Sequence, residues 1–531
     1  MHRTRILVGA LLVFALASGF GTPLALSDVE RVPVEFSVLQ GKTARPFIGF
    51  KTLEDSRYTA DEGGWQLYDV RWYSSYNTSA PFGINDGGLW QGKGFNTSLS
   101  TGVRYASRHV SFSFKPQLSF SQNLPFHYTK PISSLTGPGA VYGYYSTSGV
   151  DAPQRFGDDP FFFWDWGDSE IRFSYGPLTV GFGSEYIWLG PAVVSPLIHS
   201  DNAPGYPHLD IGLTKTTLRL PWNGWYAGDF EMRAWWGYLT ESKYFNDDDS
   251  DNHNLFSGLS VSWAWHDFSI TFNRIMLSKW DDKTAYTLFH VATPPFVDIL
   301  FSGIGSSGGK DNSDSRASLC FDYLLPKAGL ELYLELGRND YSPSWRYYMR
   351  YPFHTLAYTV GLRKTCAFSE RYQGEVLLEV TNLEGSDDYL ITTHGTGWTS
   401  FYEHGRIRQG HTNGGQWLGA GIGTGGNSQL LAFRLYNPSG YSTFYAWRQN
   451  PDLGYSFSPV TNPGWSDPKA EQHIRANLHF GAETYQHLDE HVALGLGAVY
   501  TYEWNPTNGQ TNASFWRCCN LTGQMLLSYT W

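Results

Sequence analysis

Between residues 383 and 426 the chain gathers Trp398, Phe401, Tyr402, His404, Arg406, Arg408, Gln409 and Trp417 among many glycines. Flat aromatic rings suit the apolar faces of sugar rings, and planar amide, imidazole and guanidinium groups satisfy hydroxyls in pairs. Arg406 and Arg408 also have the geometry to hold the carboxylates of an acidic polymer through paired hydrogen bonds. The competing reading makes the aromatics a membrane girdle and sets the arginines in ion pairs along a barrel wall. Trp398, Tyr402, His404, Arg406, Arg408, Gln409 and Trp417 are therefore the candidate polysaccharide contacts. A second set, Glu185, Arg233, Arg274 and Glu335, is expected to face an interior and form a hydrogen-bonded network there.

Other chemistry finds less support. The acidic run from Asn246 to Asn252 invites a calcium assignment, but it lacks the glycine at loop position six and the glutamate at twelve. A solvated acidic loop is the simpler expectation, and no metal or other cofactor is expected. No G-x-S-x-G or phosphate-loop pattern occurs. Carboxylates are plentiful enough that a glycosidase-like pair can always be picked out, so their presence argues for nothing. Cys320, Cys366, Cys518 and Cys519 are too few for a disulfide framework and lack metal-ligand spacing. A non-enzymatic protein is expected.

What must position these residues follows from pattern. Residues 1–27 read as a secretory signal: Arg3 and Arg5 precede an apolar stretch from Ile6 to Phe20, and Ala25, Leu26 and Ser27 form a small-x-small cleavage site. Removing the two arginines takes the formal charge from −11 to −13. An acidic exported chain is a poor nucleic-acid binder. No later apolar run is long enough for a membrane helix. Aromatic residues make up 17% of the chain, 21 of them Trp, against 16% charged, a balance that suits barrel girdles or a sugar-binding surface.

Residues 64–531 repeat one theme, short alternating stretches. In 521–531, Leu521, Met525, Leu527, Tyr529 and Trp531 oppose Thr522, Gln524 and Ser528. In 470–481, Ile474, Leu478 and Phe480 oppose Arg475, Asn477 and His479, and in 329–338 leucines at even positions oppose Glu331, Tyr333 and Glu335. A dry core does not bury such charges unpaired, so the second face meets a wet or hydrogen-bonded interior. Counting 168–175 and 178–187 among them, about eighteen strands are expected, an even number as outer-membrane barrels require. Short turns alternate with long connections such as 79–94, 121–167, 188–210 and 383–426, as in a barrel with periplasmic turns and extracellular loops. Within 188–210, Trp188, Gly190, Pro191, Asp201 and Asn202 read as a structural turn, the alternative being an inward fold that narrows the lumen. Residues 28–63 form a short periplasmic segment, a partial plug or an added strand; the pattern does not choose.

Several segments resemble the capsule-assembly Wzi family of bacterial outer-membrane proteins. They are Gly181 to Pro191 with Ser200 to Pro204, Asn273 to Met276, Leu332 to Asp340, and Tyr402 to Gly410 with Leu418, Gly419 and Gly423 to Asn427. The resemblance implies an eighteen-stranded antiparallel transmembrane barrel in the outer membrane. It also implies a lectin-like role, binding capsular polysaccharide or exopolysaccharide and helping to assemble or anchor it. Outer-membrane lipid and polysaccharide export machinery join the polymer as expected partners. The founding type carries a helical bundle before its barrel, for which 28–63 is too short. A passive or sugar-selective porin and an outer-membrane lipid hydrolase remain the alternative functions.

Overall fold

A computed structural model describes residues 29, 31–52, 64–131, 136–145, 149–280, 313–339, 349, 353, 355–384, 401–452, 474–508 and 517–531. The signal segment 1–27 and Trp398 lie outside the described residues.

The chain closes an antiparallel barrel. Its first four crossings are each split in two: β1 (Gly64–Leu67 and Val70–Asn77), β2 (Gly94–Ser100 and Val103–Ala106), β3 (Val110–Phe114 and Gln117–Ser121) and β4 (Phe161–Asp165 and Glu170–Tyr175). Then follow β5 (Leu178–Gly183), β6 (His208–Arg219), β7 (Tyr226–Thr240), β8 (His253–Trp265), β9 (Phe268–Lys279), β10 (Ser313–Leu325) and β11 (Leu330–Asn339). The last are β12 (Leu356–Ala367), β13 (Gln373–Asn382), β14 (Asn427–Asn437), β15 (Gly440–Asn450), β16 (Ala476–His487), β17 (Val492–Trp504) and β18 (Arg517–Tyr529). The twenty-two barrel segments, four crossings being split, thus make eighteen crossings among the described residues. Pairing of β18 with β1, from Thr522 against Asn77 to Tyr529 against Val70, completes the ring.

Alternation sets what faces lipid and what faces inward. On β18, Thr522, Gln524, Leu526 and Ser528 are buried while Leu521, Leu527 and Tyr529 stay exposed. On β11, Glu331, Tyr333 and Glu335 are buried and Leu332 is exposed. No described helix is long and apolar enough to cross a membrane. The strands, most of ten residues or more, have the length to do so at a tilt. Exposed Trp65, Trp222, Trp225, Trp265 and Trp531 cluster at the short-turn end. That is where an interfacial aromatic girdle belongs, and it accounts for part of the tryptophan count.

The lumen is packed from both ends. From the short-turn end, helix α1 (Arg31–Leu39) enters and Phe36 stacks on Tyr436 with ring centroids 3.7 Å apart. The buried Arg45 guanidinium meets Glu331 (2.7 Å), Asp322 (2.8 Å) and Glu35 (2.9 Å). Arg363 continues the chain of charges to Glu375 (2.7 Å), which Arg434 also meets at 3.0 Å. Glu35 is held ionised: burial opposes its charge, but the Arg45, Lys51 and Arg363 cations outweigh it and hold its carboxyl well below the usual carboxylate range. Farther in, the Glu231 carboxylate accepts three backbone N–H groups, from Ile48, Gly49 and Phe50, at 2.9–3.1 Å. Phe50–Lys51 pairs with Trp188–Leu189, joining the amino-terminal segment to the connection between β5 and β6.

That connection, 184–207, turns inward at Ser184, so β5 ends at Gly183 and not at 187. Glu379 accepts the N–H groups of Val193, Val194 and Ser195 and the Tyr333 hydroxyl, and Glu335 accepts Leu197 N–H at 2.9 Å. The Glu379 carboxylate and one oxygen of Glu335 are thereby satisfied largely by the backbone of the plug, as low-dielectric burial demands. Gly190 sits at φ 81°, a conformation suited to glycine, and an added Cβ would lie 3.0 Å from the Cys320 sulfur. Ile187, Leu189, Leu197 and Ile198 from this connection pack with Phe401, Tyr402 and Leu418 and with Trp235, Phe256 and Ile275 of the wall.

Candidate functional site

At the long-connection end a cavity of about 280 Å³ opens above this plug. Its floor and one side come from strands. Arg475, just before β16, and Asn477 and His479 at its start lie two apart and line the cavity together. Trp447 of β15 and Glu503 of β17 flank them, and Arg475 pairs with Glu503 at 3.3 Å. Loops supply the rest. Phe82 stacks on the His479 imidazole at 4.8 Å and 28°, and Trp447 lies 5.4 Å from the same ring. Tyr144 and Tyr145 stack at 4.3 Å, and Trp417 stands perpendicular to Tyr144 at 5.5 Å.

The polar groups are only half committed. His479 Nδ1 contacts the Thr501 hydroxyl at 2.9 Å, while its Nε2, the Asn477 Oδ1, the Arg475 Nε and the Trp90 Nε1 find no partner among the described residues. Each such atom, left unmade in a buried place, costs about 1–3 kcal/mol. Asp86 also lines the cavity; burial pushes its carboxyl up to about 7 although the Gln91 amide donates to it at 2.7 Å. Aromatic faces beside unsatisfied donors and acceptors form a surface for a polyhydroxylated ring.

The candidate residues of 401–426 divide. Trp417 lines the cavity. Tyr402 and Gln409 are sealed inside the plug and do not line the cavity. The Tyr402 hydroxyl bridges Leu197 O and Ala420 N–H, both at 2.8 Å, and its ring stacks on His411. Gln409 donates to Thr412 O at 2.9 Å and accepts from the Asn254 amide at 2.5 Å. His404 Nδ1 accepts the Ile407 N–H at 3.1 Å and shapes a turn. Arg406 is exposed and Arg408 half-buried, both away from the cavity lining.

The interior set is buried. Arg233 meets Asp210 at 2.6 Å with its guanidinium 4.7 Å above the Phe50 ring, and Arg172 lies between Glu170, Asp210 and Glu185. Glu335 holds Leu197, and Arg274 is buried on β9. The acidic run 246–252 closes on itself, Asp248 N–H on Asn246 Oδ1 and Ser250 N–H on Asp248 Oδ1. No local pattern marks Phe82, Tyr144, Tyr145 or Trp447 as cavity residues. For Arg475, Asn477 and His479 the signal was present, since their shared polar face was already visible.

A family model described as capsule assembly protein Wzi matches residues 74–513. The chain belongs to the Wzi capsule-assembly family. A solved structure of Wzi, an outer-membrane protein involved in group 1 capsule assembly in Escherichia coli and described as a carbohydrate-binding β-barrel, is similar over 86% of this chain and 84% of that one. Its TM-score is 0.54 at 12% identity, which speaks for the fold alone. OprD of Pseudomonas aeruginosa (9% identity, 88% of this chain and 97% of that chain, TM-score 0.41) and OccAB4 of Acinetobacter baumannii (7%, 89% and 100%, 0.40) are more distant. They carry no weight for this chain. A comparison with curated proteins finds no match. This Wzi-family barrel is an outer-membrane protein, and the family match begins after α1, so the amino-terminal plug lies outside it.

Proposed function

We propose that this barrel binds capsular polysaccharide or exopolysaccharide at the cell surface and helps assemble or anchor it, without altering it chemically. The observation that carries this reading is the cavity at the long-connection end, where Trp417, Tyr144 and Trp447 stand beside uncommitted polar atoms of Arg475, Asn477 and His479. A single sugar unit gains little from one shallow site. A repeating polymer meets many barrels in one membrane, and the weak contacts combine through high effective concentration. The packed lumen supports binding over passage: α1 and the inward connections occupy the route a porin keeps open.

The test is binding of the purified, refolded protein to the host's own surface polysaccharide and to its component monosaccharides, beside planar-bilayer recordings. Saturable binding of polymer, much weaker binding of monosaccharide and no steady conductance are expected. Steady conductance without polymer binding would leave a porin.

A further inference from the structure

The barrel wall has a window. The upper half of β4, Phe161–Asp165, pairs with β3 alone, because β5 stops at Gly183 beside Glu170 and β6 begins only at His208. On the far side, β7 loses its β6 partner above Gly237, so Tyr238 to Thr240 pair with β8 only. Two strands are missing from the wall at this level, a gap of about 14 Å at ordinary strand spacing. Phe156 and Tyr244, with rings 5.7 Å apart, arch over it.

The opening leads to a mostly apolar cavity of about 420 Å³ that includes Phe161, Phe163, Pro204, Tyr206 and Tyr244. Its outer lip is at the membrane surface of the barrel. Phe162, 72% exposed, belongs both to this cavity and to an outward groove with Trp72, Leu118 and Phe120. Phe182 and Leu209, just below the window, are exposed apolar residues of the same outer belt. Its inner end reaches the loop-end cavity, for Trp90 and Gln416 line both. Trp90 Nε1, buried at that divide, has no partner among the described residues.

We propose that the window admits, from the outer leaflet, an acyl chain covalently carried by the polysaccharide held in the loop-end cavity, so that the barrel recognises the lipid-bearing end of its polymer. This rests on the polysaccharide-binding reading. An amphiphile is the one ligand class that uses both cavities together: its glycan meets the aromatic and polar lining, and its chain continues the apolar belt inward past Phe162. Trp90 Nε1 then faces an oxygen at the junction of sugar and acyl chain. Lys243, exposed at the upper rim with its ammonium 5.2 Å from the Tyr244 ring, supplies a cation at the head-group level.

The experiment compares binding of the full-length protein to the host's surface polysaccharide and to the same polymer stripped of acyl chains by alkaline hydrolysis. The intact polymer is expected to bind at least tenfold tighter. Phe161→Glu and, independently, Tyr244→Glu place a charge in the window and are expected to abolish that difference while leaving binding of the stripped polymer at the parental level. Equal binding of the two polymers overturns the proposal and leaves the polysaccharide reading intact. Loss of the difference on adding lipopolysaccharide free of that polymer assigns the window to bulk membrane lipid and also overturns it. If neither polymer binds, both readings fall.

Discussion

The Tyr402 hydroxyl donates to the Leu197 carbonyl at 2.8 Å and ties two connections together that lie 205 residues apart in sequence. It also accepts the Ala420 N–H at 2.8 Å. One oxygen thus completes two buried backbone groups inside the plug. Tyr402→Phe leaves both without a partner, which costs about 1–3 kcal/mol for each. Thermal unfolding of the barrel, followed by its heat-dependent shift on a gel, is expected to move to lower temperature. Polymer affinity measured well below that temperature is expected to stay within about twofold, because Tyr402 does not line the cavity. A large affinity loss in a stably folded variant would return Tyr402 to the ligand.

Glu379 is the main wall anchor of the 184–207 connection, with three backbone N–H groups and the Tyr333 hydroxyl upon it. Glu379→Ala leaves those donors buried and unpaired, at a cost of about 1–3 kcal/mol for each one left unsatisfied. The connection is expected to become open to protease, and planar-bilayer conductance to rise above that of the parent, which is expected to show none. A silent, protease-resistant variant would show that the plug does not depend on this carboxylate.

Burial pushes the Asp151 carboxyl up to about 7, even though Ser242 donates both its hydroxyl (2.5 Å) and its N–H (2.6 Å) to it. The folded protein therefore keeps a proton that the unfolded chain loses near pH 3.8. Stability from this group is full below pH 3.8 and declines as pH rises to about 7, each unit in between being worth up to about 1.4 kcal/mol. Asp151→Asn keeps a neutral group of the same shape and is expected to flatten the decline. Unfolding temperatures of parent and variant at pH 5 and pH 8 check this; parallel pH profiles would remove Asp151 from the explanation.

The barrel was legible because its wall obeys local rules. Glu331, Tyr333 and Glu335 against the leucines of β11, or the apolar outer row of β18, announce face and period within a few residues. Ends were less legible. The stretch read as 470–481 is Ala476–His487, since polar residues keep the same alternation through Glu483 and the pattern has no natural stop. Phe161–Asp165 falls inside the expected 121–167 connection because three successive phenylalanines hide any alternation. The plug was illegible for another reason: Glu379 and Val194 are separated by 185 residues, and nothing near either names the other. The same holds for the cavity, whose aromatics come from separate connections that meet only after the barrel has closed.

The most direct measurement is polymer affinity of the refolded protein after Trp417→Ala and, in parallel, after Arg406→Ala. Trp417 lines the cavity, whereas Arg406 is exposed outside its lining. Loss of an aromatic contact to a sugar ring is worth about 1 kcal/mol at each occupied site and is multiplied along a polymer. Trp417→Ala is expected to weaken polymer binding tenfold or more, and Arg406→Ala to leave it nearly unchanged. Undiminished binding by a folded Trp417→Ala protein would contradict the placement of the polysaccharide in this cavity.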